Sequence, residues 1–227
     1  MNHKKIRNVV IFVFFVCLCI YAIHIYVSKS RIEGMQNVDL QNQYFDADIS
    51  IPRTIQLEPG ELIEINLPSV ALSGYDLSDM NQAAQEFKET LENKGINIKT
   101  IYGNQDKTLA VTFDSYNFEL YLELIENNFN SVIGNDVSVN KTFSHMIYNV
   151  DDESTFMIYG FRVYQIYGFL ALSQILTGTP CHEWEVSVTT MYEPKEIIMF
   201  EHTIYEGVDI HISEEEWLEK LQEAQGK

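Results

Sequence analysis

One short segment, Cys181-His182-Glu183, brings a nucleophile, a base and an acid side by side. A cysteine attacks as the thiolate, which needs a neighbouring base or a positive environment. On an extended chain, however, adjacent side chains point to opposite sides, so Cys181 and His182 would diverge. We therefore expect a structural cysteine beside a surface histidine. An enzyme that uses Cys181 or a pair of carboxylates is kept as an alternative.

The histidines and acids of the chain lack the spacing of a metal site. Zinc needs about three or four converging ligands, commonly with histidines about three to five residues apart. The segment Asp151-Asp152-Glu153 offers oxygen ligands, but calcium needs about six to eight of them and a loop with an internal glycine. We therefore expect neither a metal nor another cofactor. The histidines considered are His145, His182, His202 and His211.

No motif in the sequence specifies a reaction. The patterns GxxxxGK[ST], GxGxxG, GxSxG and HExxH are all absent. They are the signatures of phosphate loops, dinucleotide-binding turns, serine hydrolases and zinc proteases. Asn140-Lys141-Thr142 matches the glycosylation sequon, which is too short to be specific. The class of function therefore has to be inferred from the charge of the chain and from its predicted membrane topology.

The charge of the chain is unevenly distributed. Residues 32–227 hold 33 acidic and 10 basic side chains, a net charge of −23. Nucleic acids and anionic lipid headgroups are bound through Lys and Arg, so we exclude a nucleic-acid partner. Glu119, Glu123 and Glu126 would share one helix face, where like charges repel. The charge serves solubility, or it attracts a protein partner with a basic surface.

Hydrophobic periodicity in residues 61–150 predicts an α+β fold. Strands are predicted at 61–67, 96–102, 107–113 and 137–148. Two helices are predicted between them, with apolar faces Leu77, Met80, Ala84, Phe87 and Leu91 in the first and Phe118, Tyr121, Leu122, Ile125, Phe129 and Val132 in the second. The order βαββαβ is that of the ferredoxin-like arrangement, in which two helices cover one face of a four-stranded antiparallel sheet.

The apolar stretch at 155–176 opens the second half of the domain, residues 151–227. We expect a mostly buried helix whose polar residues fall on one side; these are Arg162, Gln165, Ser173 and Gln174. A partly strand-like segment is one alternative. A membrane-associated segment is another, although a central arginine and two glutamines are costly in lipid.

The last part of the chain is predicted to form a hairpin and a helix. Strands at 184–192 and 196–205 flank the turn Glu193-Pro194-Lys195. Ser213 and Glu216 form a capping box, which begins a helix with Trp217, Leu218 and Leu221 facing inward. The second half is therefore a helix, a hairpin and a helix.

An apolar run of 19 residues at 9–27, interrupted only by His24, precedes all of these elements. About 20 apolar residues cross a hydrocarbon core of roughly 30 Å, and only a helix satisfies their backbone groups there. Three basic residues precede the run and two follow it closely, which favours a cytoplasmic N-terminus. A signal peptide cleaved after Ser30, at Ser28-Lys29-Ser30, is the alternative.

These observations predict a single-pass cell-membrane protein with an extracytoplasmic C-terminal domain. The expected parts are a cytoplasmic basic tail at 1–8, a transmembrane anchor at 9–27, a stalk or lead-in at 28–60, the βαββαβ subdomain at 61–150 and the second subdomain at 151–227. We expect an interaction or accessory protein without catalytic activity. A ligand-sensing domain with a pocket between its halves, rimmed by Tyr159, Tyr164 and Tyr167, is the alternative from another functional class.

Overall fold

The computed structural model describes residues 44–45, 48–208 and 211–226. The predicted tail, the anchor at 9–27 and the first part of the lead-in lie outside these residues. Among those described, no helix combines the length and apolar character needed to cross a bilayer, and this includes the helix within 155–176. The described part is an α+β fold with two sheets and four α-helices.

The first sheet has three antiparallel strands in the order β1-β3-β2. The strands are β1 (Leu62–Leu67), β2 (Thr100–Gly103) and β3 (Leu109–Asp114). Helix α1 (Met80–Glu92) connects β1 to β2, and α2 (Ser115–Val132) follows β3. The β3 strand lies between β1 and β2 and runs antiparallel to both. This is the strand order that the first three strands of a ferredoxin-like sheet require.

Both helices begin at an aspartate whose side chain caps the first turn. The Asp79 carboxylate accepts hydrogen bonds from the backbone N–H groups of Asn81 and Gln82. The Asp114 carboxylate accepts one from the backbone N–H of Asn117 at 2.8 Å. These bonds satisfy groups that have no partner within the first turn of a helix. Most residues of the predicted apolar faces are buried, with Phe87 on α1 and Ile125 on α2 both in the core. Met80 and Val132 are partly buried, and Leu77 precedes α1.

The predicted strand at 137–148 is two strands, β4 (Val137–Val139) and β5 (His145–Val150). A tight turn separates them, in which Oδ1 of Asn140 accepts hydrogen bonds from the backbone N–H groups of Ser144 and His145. Phe143 is buried in this turn with a φ of 59°. The side-chain oxygen of Asn140 thus takes the place of a backbone acceptor in a neighbouring strand. The chain therefore reverses here, although the alternation of apolar and polar residues continues through the turn.

The second sheet has the order β4-β5-β6-β7, with β6 (Glu185–Tyr192) and β7 (Ile197–Tyr205) forming the predicted hairpin. β5 and β6 are parallel, which requires a crossover, and α3 (Phe156–Leu176) provides it. The ferredoxin-like prediction is therefore wrong in its fourth strand, because β4 pairs with β5 and not with β1. Alternation specifies the two faces of a strand but not which neighbour its edges meet.

The two sheets share one hydrophobic core. Helix α3 contacts β1 of the first sheet and β6 of the second. The last helix, α4 (Glu214–Gln225), begins at the predicted Ser213 cap and buries Trp217 and Leu221. Leu218 was expected to face inward but is about half exposed, since it lies on the outer side of α4. Ile49 and Ile51 of the lead-in are also buried in the core.

Candidate functional site

Cys181 does not have the surroundings of a nucleophile. It is buried at the turn before β6, where burial first, and then Glu206 and Asp106, raise its pKa to about 12. His182 is exposed, and its Nε2 lies 3.3 Å from a carboxylate oxygen of Asp106. The base therefore faces an acid on another loop and is not poised against the thiol. This geometry gives the enzyme alternative no support at Cys181.

His145 and His202 lie on neighbouring parts of the second sheet but have different contacts. Nδ1 of His145 lies 2.8 Å from the Tyr44 hydroxyl, and its Nε2 lies 3.0 Å from Oγ1 of Thr189. His202 stacks on Phe200 with ring centroids 5.8 Å apart. Burial lowers the pKa of both histidines. Within the described residues, no three His, Cys, Asp or Glu side chains converge as metal ligands.

An open groove of about 450 Å³ lies on the second sheet beside His145. Its lining is mostly polar and consists of Ser144, His145, Ser187, Val188, Thr189, Glu201, His202 and Thr203. Hydroxyls and the Glu201 carboxylate can exchange hydrogen bonds with a small polar ligand, whereas both ring nitrogens of His145 are already engaged. Among the described contacts, no hydroxyl group of the groove is hydrogen-bonded to a histidine that is itself hydrogen-bonded to a carboxylate, which is the arrangement of a catalytic triad.

The acidic face of α2 is partly neutralised by the chain itself. Arg53 of the lead-in lies 3.1 Å from Glu119 and 2.8 Å from Glu126. Glu126 also accepts a 2.6 Å hydrogen bond from the backbone N–H of Ile51. Glu123 is exposed and takes no part in these contacts. The repulsion expected along this face is thus relieved by an internal base, which fastens the lead-in to α2.

Two further motifs have structural uses. Nδ2 of Asn140 donates to Oγ1 of Thr142 and to Ser144, so the sequon's acceptor amide is engaged within its own turn. Asp151 accepts from the hydroxyl of Ser154 ahead of α3. Asp152 accepts from the hydroxyl of Tyr192, and the bond joins this acidic segment to the end of β6.

The mostly buried helix that the sequence predicted is α3, and three of its four polar residues, Arg162, Ser173 and Gln174, are buried. Arg162 is buried, lies 3.0 Å from Asp136 and donates to the carbonyl of Val132. Nε2 of Gln174 donates to the carbonyls of Phe143 and Glu185 at 2.8 Å each. These bonds satisfy polar groups that burial would otherwise penalise. Arg162 and Gln174 are therefore part of the core.

The outer side of α3 carries large apolar residues in their place. Met157 is 79% exposed, Phe161 49%, Ile158 43% and Tyr164 43%. Met157, Phe161 and Tyr164 are four and three residues apart, which places them on one helix face. Towards the C-terminal half this face is covered, since the carbonyl of Val70 lies 3.5 Å from where a Cβ of Gly168 would be. We call Met157, Ile158, Phe161 and Tyr164 the α3 ridge.

The ridge is the feature that sequence reasoning missed. One signal could have revealed it, because apart from Arg162 and Gln165 the residues at 156–170 are apolar or aromatic around the whole helix. A helix without a polar face must either be buried on all sides or expose apolar surface. The prediction that Tyr159, Tyr164 and Tyr167 rim a pocket is wrong, because these side chains point in different directions from α3. Tyr159 and Tyr167 are buried in the core, and Tyr164 is exposed.

Comparison of the chain with protein families, curated proteins and solved structures finds no match in any of the three.

Proposed function

We propose that this is a membrane-anchored extracytoplasmic interaction or accessory protein without catalytic activity, and that the α3 ridge is its docking surface. The exposure of the ridge carries the proposal. Contiguous exposed apolar patches are uncommon on monomeric proteins and mark interaction sites, whereas isolated ones need no explanation. Leu62 and Tyr116 are exposed on other elements, while the ridge gathers four such side chains within about two helical turns.

The membrane anchor is proposed from the sequence. The apolar run at 9–27, preceded by Lys4, Lys5 and Arg7, supports a single span with the N-terminus in the cytoplasm. A reporter that is active only outside the cytoplasm, fused after residue 227, is expected to be active. The protein should remain in the membrane pellet in alkaline carbonate. A shortened, soluble form would show instead that the chain is cleaved after Ser30.

The docking role is tested by site-specific photo-crosslinking in membranes of the native cell. A photoreactive phenylalanine analogue replaces Tyr164 on the ridge, and a matched variant carries it at Tyr116, which is 70% exposed on α2. We expect a protein adduct at position 164 and none, or far less, at position 116. Equal labelling at both positions, or no protein adduct at either, would contradict the docking role of the ridge.

The groove beside His145 favours a second candidate, a ligand-binding role. Its polar lining suits a small polar ligand, though it lies on the second sheet and not between the two halves of the domain. A panel of small polar compounds can be screened by thermal shift with the unmodified protein and with Glu201→Gln. A compound that stabilises the unmodified protein and not the variant would favour this candidate. The enzyme alternative has no comparable observation behind it.

A further inference from the structure

Within the proposed docking role, we infer that the α3 ridge binds a helix of a partner protein, one with an apolar stripe flanked by Lys or Arg. The inference rests on the proposed function and adds the class of partner. Two observations carry it: an exposed glycine beside the ridge, and an acidic rim at the N-terminal end of α3.

Gly160 lies at the edge of the ridge, three residues after Met157 and four before Tyr164, so all three are neighbours on the helix surface. It is exposed, and a Cβ added to it would meet nothing within 4 Å. Glycine is a poor residue for an exposed helix interior, and nothing that packs around Gly160 requires it. A missing side chain does allow another backbone to approach closely. A second helix crossing α3 at Gly160 makes use of that space.

The rim of the ridge is acidic. Asp151, Asp152 and Glu153 are exposed immediately before α3, and no ion pair among the described residues neutralises them. The single base on α3, Arg162, is buried and paired with Asp136. A partner that covers the ridge must therefore approach a negative rim. Complementary charge favours a partner with Lys or Arg beside its apolar residues.

The same charges disfavour the other occupants. A second copy of this chain would bring an identical acidic rim and a second domain with a net charge of −23, so the two would repel. Anionic lipid headgroups would be repelled as well. A basic amphipathic helix satisfies both the apolar ridge and its rim.

The test uses the full chain in phosphatidylcholine nanodiscs and a fluorescent peptide of about 18 residues, long enough for roughly 27 Å of helix. Its leucines follow one helix face and its other residues are lysines; a matched peptide has Glu in place of each Lys. We expect the Leu/Lys peptide to bind above the level of empty nanodiscs. The Leu/Glu peptide should bind at least about tenfold more weakly, as measured by anisotropy.

Variants separate the ridge from general charge attraction. Met157→Ser with Tyr164→Ser should weaken Leu/Lys binding at least about tenfold, while the matched exposed pair Leu62→Ser with Tyr116→Ser should change it less than about twofold. Gly160→Ala should raise the unfolding temperature and yet weaken binding, because the added methyl group favours the helix but keeps the two helices apart. If Gly160 had only a structural role, its replacement by Ala would not raise the unfolding temperature and weaken peptide binding at the same time.

Several results would overturn the inference. Unchanged binding in both Ser pairs would mean unspecific charge attraction, and equal losses in both pairs would mean unspecific apolar contact. Unchanged binding by Gly160→Ala would remove the close helix crossing. Binding that empty nanodiscs reproduce would assign the peptide to lipid, and ridge-dependent self-association in sedimentation would assign the surface to a second copy. If position 164 crosslinks to a protein but the Leu/Lys peptide does not bind, the partner class is wrong while the docking role stands.

Discussion

At the scale of single residues, the surroundings of Cys181 determine how readily its thiol ionises. Its thiol is buried between the turn that leads into β6 and the acids Glu206 and Asp106, a setting that opposes ionisation. Glu206 itself accepts hydrogen bonds from Ser69 and from the indole of Trp184, so the carboxylate near the sulfur is firmly placed. The residue is thus a core thiol in an unfavourable electrostatic setting for a thiolate.

We predict that Cys181 resists alkylation in the native protein. With a pKa of about 12, its thiolate fraction at pH 8 is about one in 10⁴, against about a quarter for an ordinary thiol. In a Cys17→Ala, Cys19→Ala background, iodoacetamide should label it slowly until guanidinium unfolds the chain. Fast labelling in the native state would show that the site opens or that the thiol is activated.

Asp114 should make the protein sensitive to acid. Hydrogen bonds from the Asn117 backbone, from Lys99 and from the Asn117 side chain lower its pKa from 3.8 to about 2. The folded pKa lies below the unfolded one, so the stabilisation is complete above about pH 4 and is lost as the pH falls towards 2. Asp114→Ala should reduce the free energy of unfolding by about 1 kcal/mol at pH 7 and flatten this part of the pH profile.

Asp114→Asn is the informative control for that prediction. An asparagine still caps a helix but carries no charge, so the capping bond remains while the pH dependence between about 2 and 4 is lost. Urea unfolding of each variant over this pH range measures both effects. An unchanged acid profile in Asp114→Asn would assign the dependence to other carboxylates.

At the scale of elements, the lead-in and α2 are joined by a small polar network around Arg53. Arg53 donates to Glu126 through two nitrogens and to the carbonyl of Ile51 through one of them. Exposed ion pairs usually contribute little, but Glu126 is half-buried and also binds the Ile51 backbone N–H. The network therefore holds Ile49 and Ile51 against the core.

We expect Glu126→Ala to lower the free energy of unfolding by about 1–2 kcal/mol, since it leaves a backbone N–H without its charged acceptor. Glu123→Ala, one turn earlier and exposed, should change it by less than about 0.5 kcal/mol. Chemical unfolding of the two variants side by side measures the difference. Equal effects would mean that the Arg53 network does not stabilise the fold.

At the scale of the whole domain, the two sheets belong to one packed unit. Helix α3 contacts β1 and β6, and Gln174 on it bonds to the backbones at the starts of β5 and β6. The Ser69–Glu206–Trp184 bonds link the chain after β1 to the second sheet. Buried side chains of both sheets belong to one hydrophobic cluster.

This packing predicts one cooperative unfolding transition. Ile125→Ala on α2 and Ile204→Ala on β7 remove buried side chains near different sheets and should each cost about 2–5 kcal/mol. Both should lower the same transition, followed by near-UV circular dichroism of the full chain in mild detergent. Two separate transitions, each sensitive to one variant, would show that the sheets unfold independently.

The sequence alone determined the features that depend on neighbours along the chain. Helical spacing identified the buried faces of α1 and α2, including Phe87 and Ile125. Capping chemistry located the start of α4 at Ser213. These signals are local, because a helix face or a cap involves residues within about one or two turns of each other.

Tertiary structure decided what depends on distant residues. Whether β4 meets β1 or β5 is a choice between edges that alternation leaves open. Arg162 and Gln174 are tolerated inside because residues 11–31 positions away accept their hydrogen bonds, and no local pattern reveals such partners. The ridge faces outward because the opposite side of α3, with Arg162 and the apolar Tyr159 and Val163, is buried in the core. The candidate site thus follows from how α3 is rotated in the fold.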